Sequence, residues 1–348
     1  MRQQTLRSLF IFNFNKFPFA FIISLLILFS AQLLWTQTSF LKDFFIKYGY
    51  LTNKDSIRID AQLRILKKSN ENKKIFIIGG SDAREGIDSD YLNNFFYDNK
   101  IDFYNLGISN GFISEWFMLE KKLIDSKPST IYYLFYPEAL NYMPDMDQIR
   151  LYFDFSMISY FIEIFSAKIF LNLFGTYFSD FILGEILFLY KYKFAMRKIT
   201  LNLFQSFIDP NYQKKFSKYI YNISDSKVRL PKHLDELEQR ALIKVSKYQP
   251  QLKEMFKVFC KNLKLAKINL VIIESPVFPL FKNSLYQNKS YLNLLSFLEK
   301  TSYELDFKFI NQNQLPKFKK ADFIDFYHLN KSGRAKLTNF LSTHLNRL

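Results

Sequence analysis

At 348 residues and 49% hydrophobic content the chain is long enough for one large α/β domain or two small ones, and too apolar to be a disordered polypeptide. A net charge of +16 favours an anionic neighbour, whether membrane surface, glycan or nucleic acid, although a solvated, lysine-biased surface accounts for it equally. The lysines are spread along the chain with no zinc-finger spacing, RNP-like run or basic zipper, so nucleic acid is not an expected partner.

The 41 Phe and 22 Tyr accompany abundant Lys, Asn and Ile and read as compositional bias, so isolated aromatics carry no inference. From Phe17 to Trp35 there is no charged residue, a stretch that at ~1.5 Å per residue reaches roughly the ~30 Å of a hydrocarbon core. Both faces are apolar, the run is longer than a signal-peptide core, and no small-x-small cleavage site closes it. Residues 1–16 are then a tail, 17–36 an uncleaved transmembrane anchor and 37–72 a juxtamembrane connection. The flanking charges (Arg2, Arg7, Lys16 against Lys42, Lys47, Lys54) barely discriminate its orientation.

The apolar run Lys74–Gly80, ending in two glycines, predicts a buried parallel strand followed by a tight turn. A helix near Ser89–Tyr97, capped by Ser89, and a strand over Ile101–Leu106 come next. Helical spacing at Phe112, Trp116, Leu119 and Leu123 predicts a helix across Gly111–Ser126, and Thr130–Phe135 a third strand. Further on, Tyr248–Ala266 predicts a helix, Asn269–Ile273 a strand, Tyr291–Tyr303 a helix, Phe307–Ile310 a strand and Lys331–Leu345 a final helix. Cys260, among Met255, Phe256, Val258, Phe259 and Leu263, is expected to be a buried thiol without a disulfide partner.

This alternation predicts an α/β fold in three layers around a mostly parallel five-stranded sheet, formed by residues 73–140 and 248–348. Residues 141–247, about a hundred where a few would suffice, predict a helical insertion or lid. Its apolar first half, Leu151–Phe207, is interrupted by charges and offers no second span. It fits a cap packed on the core, or a surface that dips into the membrane and gathers a lipid-linked substrate.

Ser81 follows Gly79-Gly80 at the carboxyl end of the first strand, where open α/β sheets place ligand chemistry. Taken alone, a serine after a glycine turn is more often a helix cap than a nucleophile. Near the other end stands Asp325-Phe326-Tyr327-His328, directly after the last strand and before the last helix. An aspartate three residues before a histidine can hold the imidazole Nδ1 side and leave Nε2 to take a proton from a serine hydroxyl. His233 and His344, the other two histidines, have no comparable company. Neither a G-x-G-x-x-G nor a G-x-x-x-x-G-K-S/T pattern accompanies the glycines, no metal-ligand cluster is visible, and no cofactor is expected.

Gly80-Ser81, Gly107 within Asn105-Leu106-Gly107, and the C-terminal D-x-x-H of Asp325 and His328 resemble the SGNH, or GDSL-like, hydrolase superfamily. The resemblance covers residues 74–140 and 248–345 and implies a flavodoxin-like fold with a Ser81, His328, Asp325 triad. It also implies an oxyanion hole of the Ser81 and Gly107 N–H groups and an Asn amide, for which Asn141 is the candidate. Gly80 stands where the family has Asp before the serine, and no G-x-N-D follows the third strand. With the anchor and the insertion, these departures look more like the membrane-bound branch of alginate O-acetylation and teichoic-acid D-alanyl transfer proteins. That branch implies a single-pass inner-membrane protein, its domain extracytoplasmic, acting as an acyltransferase or esterase on an envelope glycan or lipid-linked acyl ester. Membrane lipid and a membrane-bound acyl-transfer partner would be its neighbours. The alternative is a catalytically inactive, membrane-tethered binding or assembly protein on the same fold.

Overall fold

The computed structural model describes residues 72–108, 111–141 and 250–345, with short helical stretches at 22–27 and 29–30 and isolated positions between 63 and 248. The chain begins its core with β1 (Lys73–Gly79), whose side chains are buried from Lys74 onward. Two short helices, α1 (Ser81–Gly86) and α2 (Ser89–Phe95), lead to β2 (Ile101–Asn105). Helix α3 (Ile113–Asp125) connects to β3 (Thr130–Phe135), buried along its whole length. From residue 250 onward come α4 (Pro250–Leu265), β4 (Asn269–Glu274), α5 (Pro279–Gln287), α6 (Lys289–Leu305), β5 (Lys308–Ile310) and α7 (Lys331–Leu345).

All strand pairings among the described residues are parallel, in the order β2-β1-β3-β4-β5. The central strands read as unbroken apolar runs because helices cover both of their faces; the edge strands β2 and β5 are only half-buried. Helices α3, α4 and α6 pack together in one layer, and α1, α2 and α7 in the other. The expected five-stranded, three-layer α/β fold is therefore present. Its strand order is the flavodoxin-like one, which reverses direction at β1 and β3 and opens a crevice at their carboxyl ends.

Local details depart from expectation in the helices, beginning with Ser81–Gly86, expected only as a tight turn, which forms α1. Asp88, not Ser89, caps α2, its carboxylate accepting the Tyr91 N–H at 3.1 Å. Helix α5 was not expected: it starts at Pro279, whose fixed φ suits a first helical turn. Glu274, buried at the end of β4, accepts hydrogen bonds from Tyr286, Tyr291 and both the N–H and the side chain of Gln312. Burial raises its carboxyl pKa, with those bonds opposing. Cys260 is the buried thiol expected, and burial holds it well above its ordinary pKa.

The anchor over 17–36 and the lid over 141–247 lie largely outside the described residues. Among the described residues no helix is long and apolar enough to cross a membrane. Those that are described in 22–30 are helical, with Ile22, Ile23, Leu25, Leu26, Ile27 and Phe29 exposed.

Gly79 is the residue on which the turn after β1 depends. Its φ of +145° is one that side-chain-bearing residues rarely adopt, and a Cβ there would sit 2.7 Å from the Leu134 carbonyl oxygen and 2.8 Å from Ala83 Cβ. Gly79→Ala is expected to lower stability by about 2 kcal/mol or more, read as a drop in the urea midpoint at constant m.

Candidate active site

Two chain segments meet at the carboxyl edge of the sheet. Ser81 opens α1 one residue after the extended Gly80, so its Oγ stands in the crevice between β1 and β3. Asp325 and His328 lie in the loop between β5 and α7. That loop is closed on itself by a bridge between Phe323 and Leu329 and by the Ile324 N–H donating to the His328 carbonyl at 2.8 Å. It is held from below by Asp322, whose carboxylate accepts from the Lys319 N–H at 2.7 Å, Ser332 Oγ at 3.0 Å and Lys336 Nζ at 2.6 Å. Burial works to raise the Asp322 carboxyl, but these partners outweigh it and keep it below the usual range. Asn330 caps α7 through the N–H groups of Ser332 and Gly333.

The three side chains form a continuous row. His328 Nε2 is 2.8 Å from Ser81 Oγ, although 247 positions separate the two in sequence. On the other side of the ring, His328 Nδ1 is 2.8 Å from Asp325 Oδ2 and 3.0 Å from Oδ1. An ionised carboxylate only accepts, so Nδ1 carries the proton and Nε2 of the neutral ring is left to accept from the serine hydroxyl. Asp325 is itself fixed: its Oδ1 accepts the N–H groups of Tyr327 and His328, each at 2.9 Å.

The electrostatics come from this geometry. Burial would raise the Asp325 carboxyl, but the hydrogen bond and charge of His328 and the two backbone N–H groups outweigh it and the pKa falls. Burial would lower His328, but Asp325 first, then Glu85 and Asp82, outweigh it and the pKa rises above 6.5. Such a row can withdraw a proton from Ser81 and hold it as imidazolium, the requirement for nucleophilic attack by a hydroxyl.

The two remaining expected residues have identifiable local bonds. The Gly107 N–H donates to Asn105 Oδ1 at 3.1 Å, while Asn105 Nδ2 donates to the Ala83 and Ile87 carbonyls at 2.9 Å. A Cβ on Gly107 would lie 2.5 Å from the Arg84 nitrogen, so glycine lets the end of β2 close onto α1. Asn141 is buried in the turn after β3, its N–H donating to the Glu138 carbonyl at 2.9 Å.

Other groups around the row carry no sequence signal of their own. Tyr327 Oη donates to the buried Glu138 at 3.1 Å, and its ring lies 4.6 Å from that of Tyr136, tying the histidine loop to the turn after β3. Asp82, buried directly after the serine, accepts a short hydrogen bond from Ser275 Oγ at the end of β4. Nothing in the sequence joins Asp82 to Ser275. Among the described residues no His, Cys, Asp and Glu cluster has the makings of a metal site.

No protein-family model matches the sequence, and no curated protein matches it. Among solved structures, one similar to the chain is that of a candidate acylhydrolase from Bacteroides fragilis, at 8% identity, covering 82% of this chain and 93% of that one, with a TM-score of 0.39. A likeness of this size carries no functional argument.

Asp325 and His328 stabilise each other in opposite directions of pH. The depressed Asp325 contributes stability that is present above its unfolded pKa and lost as pH falls through its folded value. The raised His328 contributes stability that is full below about 6.5 and lost as pH rises through its folded value. Asp325→Asn is therefore expected to bring the His328 pKa down, followed by imidazole NMR titration, and to cost stability most between the carboxylate and imidazole ranges. An unchanged His328 titration would show that the carboxylate does not govern the ring.

Proposed function

We propose that the protein is a serine-dependent acyltransferase or ester hydrolase of SGNH type, with Ser81 as nucleophile, His328 as general base and acid, and Asp325 as the group that orients the ring. The observation that carries this reading is the hydrogen-bonded row from Ser81 Oγ through His328 to Asp325. In the first step Ser81 Oγ attacks the acyl carbonyl while Nε2 takes the hydroxyl proton. Collapse of the tetrahedral intermediate then expels the leaving oxygen, to which His328 returns that proton, and leaves an acyl-Ser81 ester. Water or an acceptor hydroxyl, deprotonated by the same nitrogen, attacks this ester and regenerates the serine. The Ser81 and Gly107 N–H groups and the Asn141 amide are the proposed oxyanion donors. A helix's first N–H groups have no intrahelical acceptor, which supports Ser81 in that role.

The acyl ester is proposed to be an envelope glycan or a lipid-linked donor, reached from an inner membrane that the 17–36 segment would span with the catalytic domain outside. The uncharged stretch Phe17–Trp35, the net charge of +16 and the exposed helical residues Leu201, Phe204, Phe207 and Ile208 in the insertion support a lipid surface as neighbour. A membrane-bound acyl-transfer protein would supply or accept the acyl group. The second reading, an inactive assembly protein on the same fold, is favoured by one observation: the Gly107 N–H already has an acceptor in Asn105.

Incubation of the purified full chain with a fluorophosphonate probe separates the two. Covalent labelling is expected in the wild type and absent in Ser81→Ala, with labelling in His328→Ala slowed by about 10²-fold or more. A folded wild-type protein that resists the probe would sink the enzymatic reading. Since His328 must be neutral to act and its pKa is raised, the labelling rate is expected to rise with pH through a midpoint above 6.5.

A further inference from the structure

We propose that Asp82 and Ser275 form a positioning pair that holds the nucleophile turn in register with His328, an inference that rests on the reading of Ser81 as nucleophile. Asp82 is only 6% exposed and Ser275 only 1%. Such burial of a carboxyl and a hydroxyl in an otherwise apolar core is costly unless each has a partner; Ser275 Oγ donates to Asp82 Oδ2, and the Asp82 carboxyl also takes the backbone N–H groups of Asp82 and Ala83.

The pair has a particular reach. Asp82 belongs to the turn after β1, and Ser275 follows β4, with β3 lying between those two strands. Ser275 is locked in turn, its N–H donating to the Phe135 carbonyl at the end of β3 at 3.0 Å. The bond therefore ties three strand ends together at the edge where Ser81 emerges. The other Asp82 oxygen curls back over the turn itself: a Cβ on Gly80 would lie 2.6 Å from Oδ1. A side chain at position 80 would therefore crowd the Asp82 carboxyl that Ser275 holds.

The groups acting electrostatically on or from Asp82 are His328 from the loop before α7 and Tyr133 and Tyr136 from β3 and its end. Burial raises the Asp82 carboxyl pKa, against the Ser275 bond and the His328 charge. Asp82 does not reach the solvent side of the crevice, so it is a positioning residue. Removing it should alter the rate at which Ser81 reacts and leave substrate affinity alone.

The test uses the full chain in detergent, the fluorophosphonate labelling rate and turnover of p-nitrophenyl acetate. Misplacement of a reacting group by about 1 Å can cost ~10²-fold, so Ser275→Ala and Asp82→Ala are each expected to slow labelling by about tenfold to a hundredfold. For p-nitrophenyl acetate kcat/KM should fall by about the same factor as the labelling rate. Because the two side chains act through one bond, the double variant should be no slower than the slower single one. Ser275→Thr, which keeps the hydroxyl, should restore most of the rate. If Asp82→Ala fails to fold by circular dichroism, Ser275→Ala and Ser275→Thr carry the test. A folded Ser275→Ala that labels at the wild-type rate, losses that multiply in the double variant, or a Ser275→Thr as slow as Ser275→Ala would overturn the inference. Wild-type labelling with unaffected variants removes this inference alone, whereas an unreactive wild type removes the nucleophile reading on which it stands.

Discussion

The whole site hangs on a sheet whose strands all point the same way and whose order reverses between β1 and β3. Parallel strands bring every strand's carboxyl end to one edge, and the reversal leaves that edge uncovered at one place. Ser81 leaves β1 there, Asn141 lies in the turn after β3, Ser275 leaves β4 and the Asp325–His328 loop comes after β5. The residues of the site come from opposite ends of the chain, yet no long-range rearrangement is needed to bring them together. The apolar runs that bury β1, β3 and β4 also direct the turns at their carboxyl ends toward one another.

Rigidity at this edge comes from small backbone devices. Gly79 turns the chain with a φ of +145°, Gly107 lets β2 close on α1, and the loop that carries His328 folds into a miniature antiparallel bridge anchored on Asp322 and capped by Asn330. The imidazole is therefore fixed by its own loop as well as by Asp325. Preorganisation of this kind matters for a hydroxyl nucleophile, which is weak until its base is aligned with it.

The sequence carried the sheet well, because buried parallel strands are contiguous β-branched and aromatic runs and the helices between them have a clear apolar stripe. It also carried Ser81, Asp325 and His328 as a group, since Asp and His three apart before a capped helix form a local pattern. The misses have a common cause. The Ser275 bond to Asp82, the Glu138 bond to Tyr327 and the four bonds that Tyr286, Tyr291 and Gln312 give to Glu274 join residues that are close only after the sheet has formed, and nothing in their local spacing announces it. Helix α5 was missed because it is short, and its Pro279 reads as a break when it is in fact a start. Asp88 outcompeted Ser89 as the cap of α2 by one position, a boundary that spacing alone does not resolve.

The state of Cys260 has a practical corollary. The chain has one cysteine, and it is buried with a thiol whose ionisation is suppressed, so the folded protein presents a silent background to thiol-directed reagents. A cysteine introduced on either side of residues 17–36 would be the sole reactive thiol in the native chain. Membrane-impermeant maleimides applied to intact cells could then test whether the two flanks lie on opposite sides of a bilayer at all, without first deleting a native residue from the core.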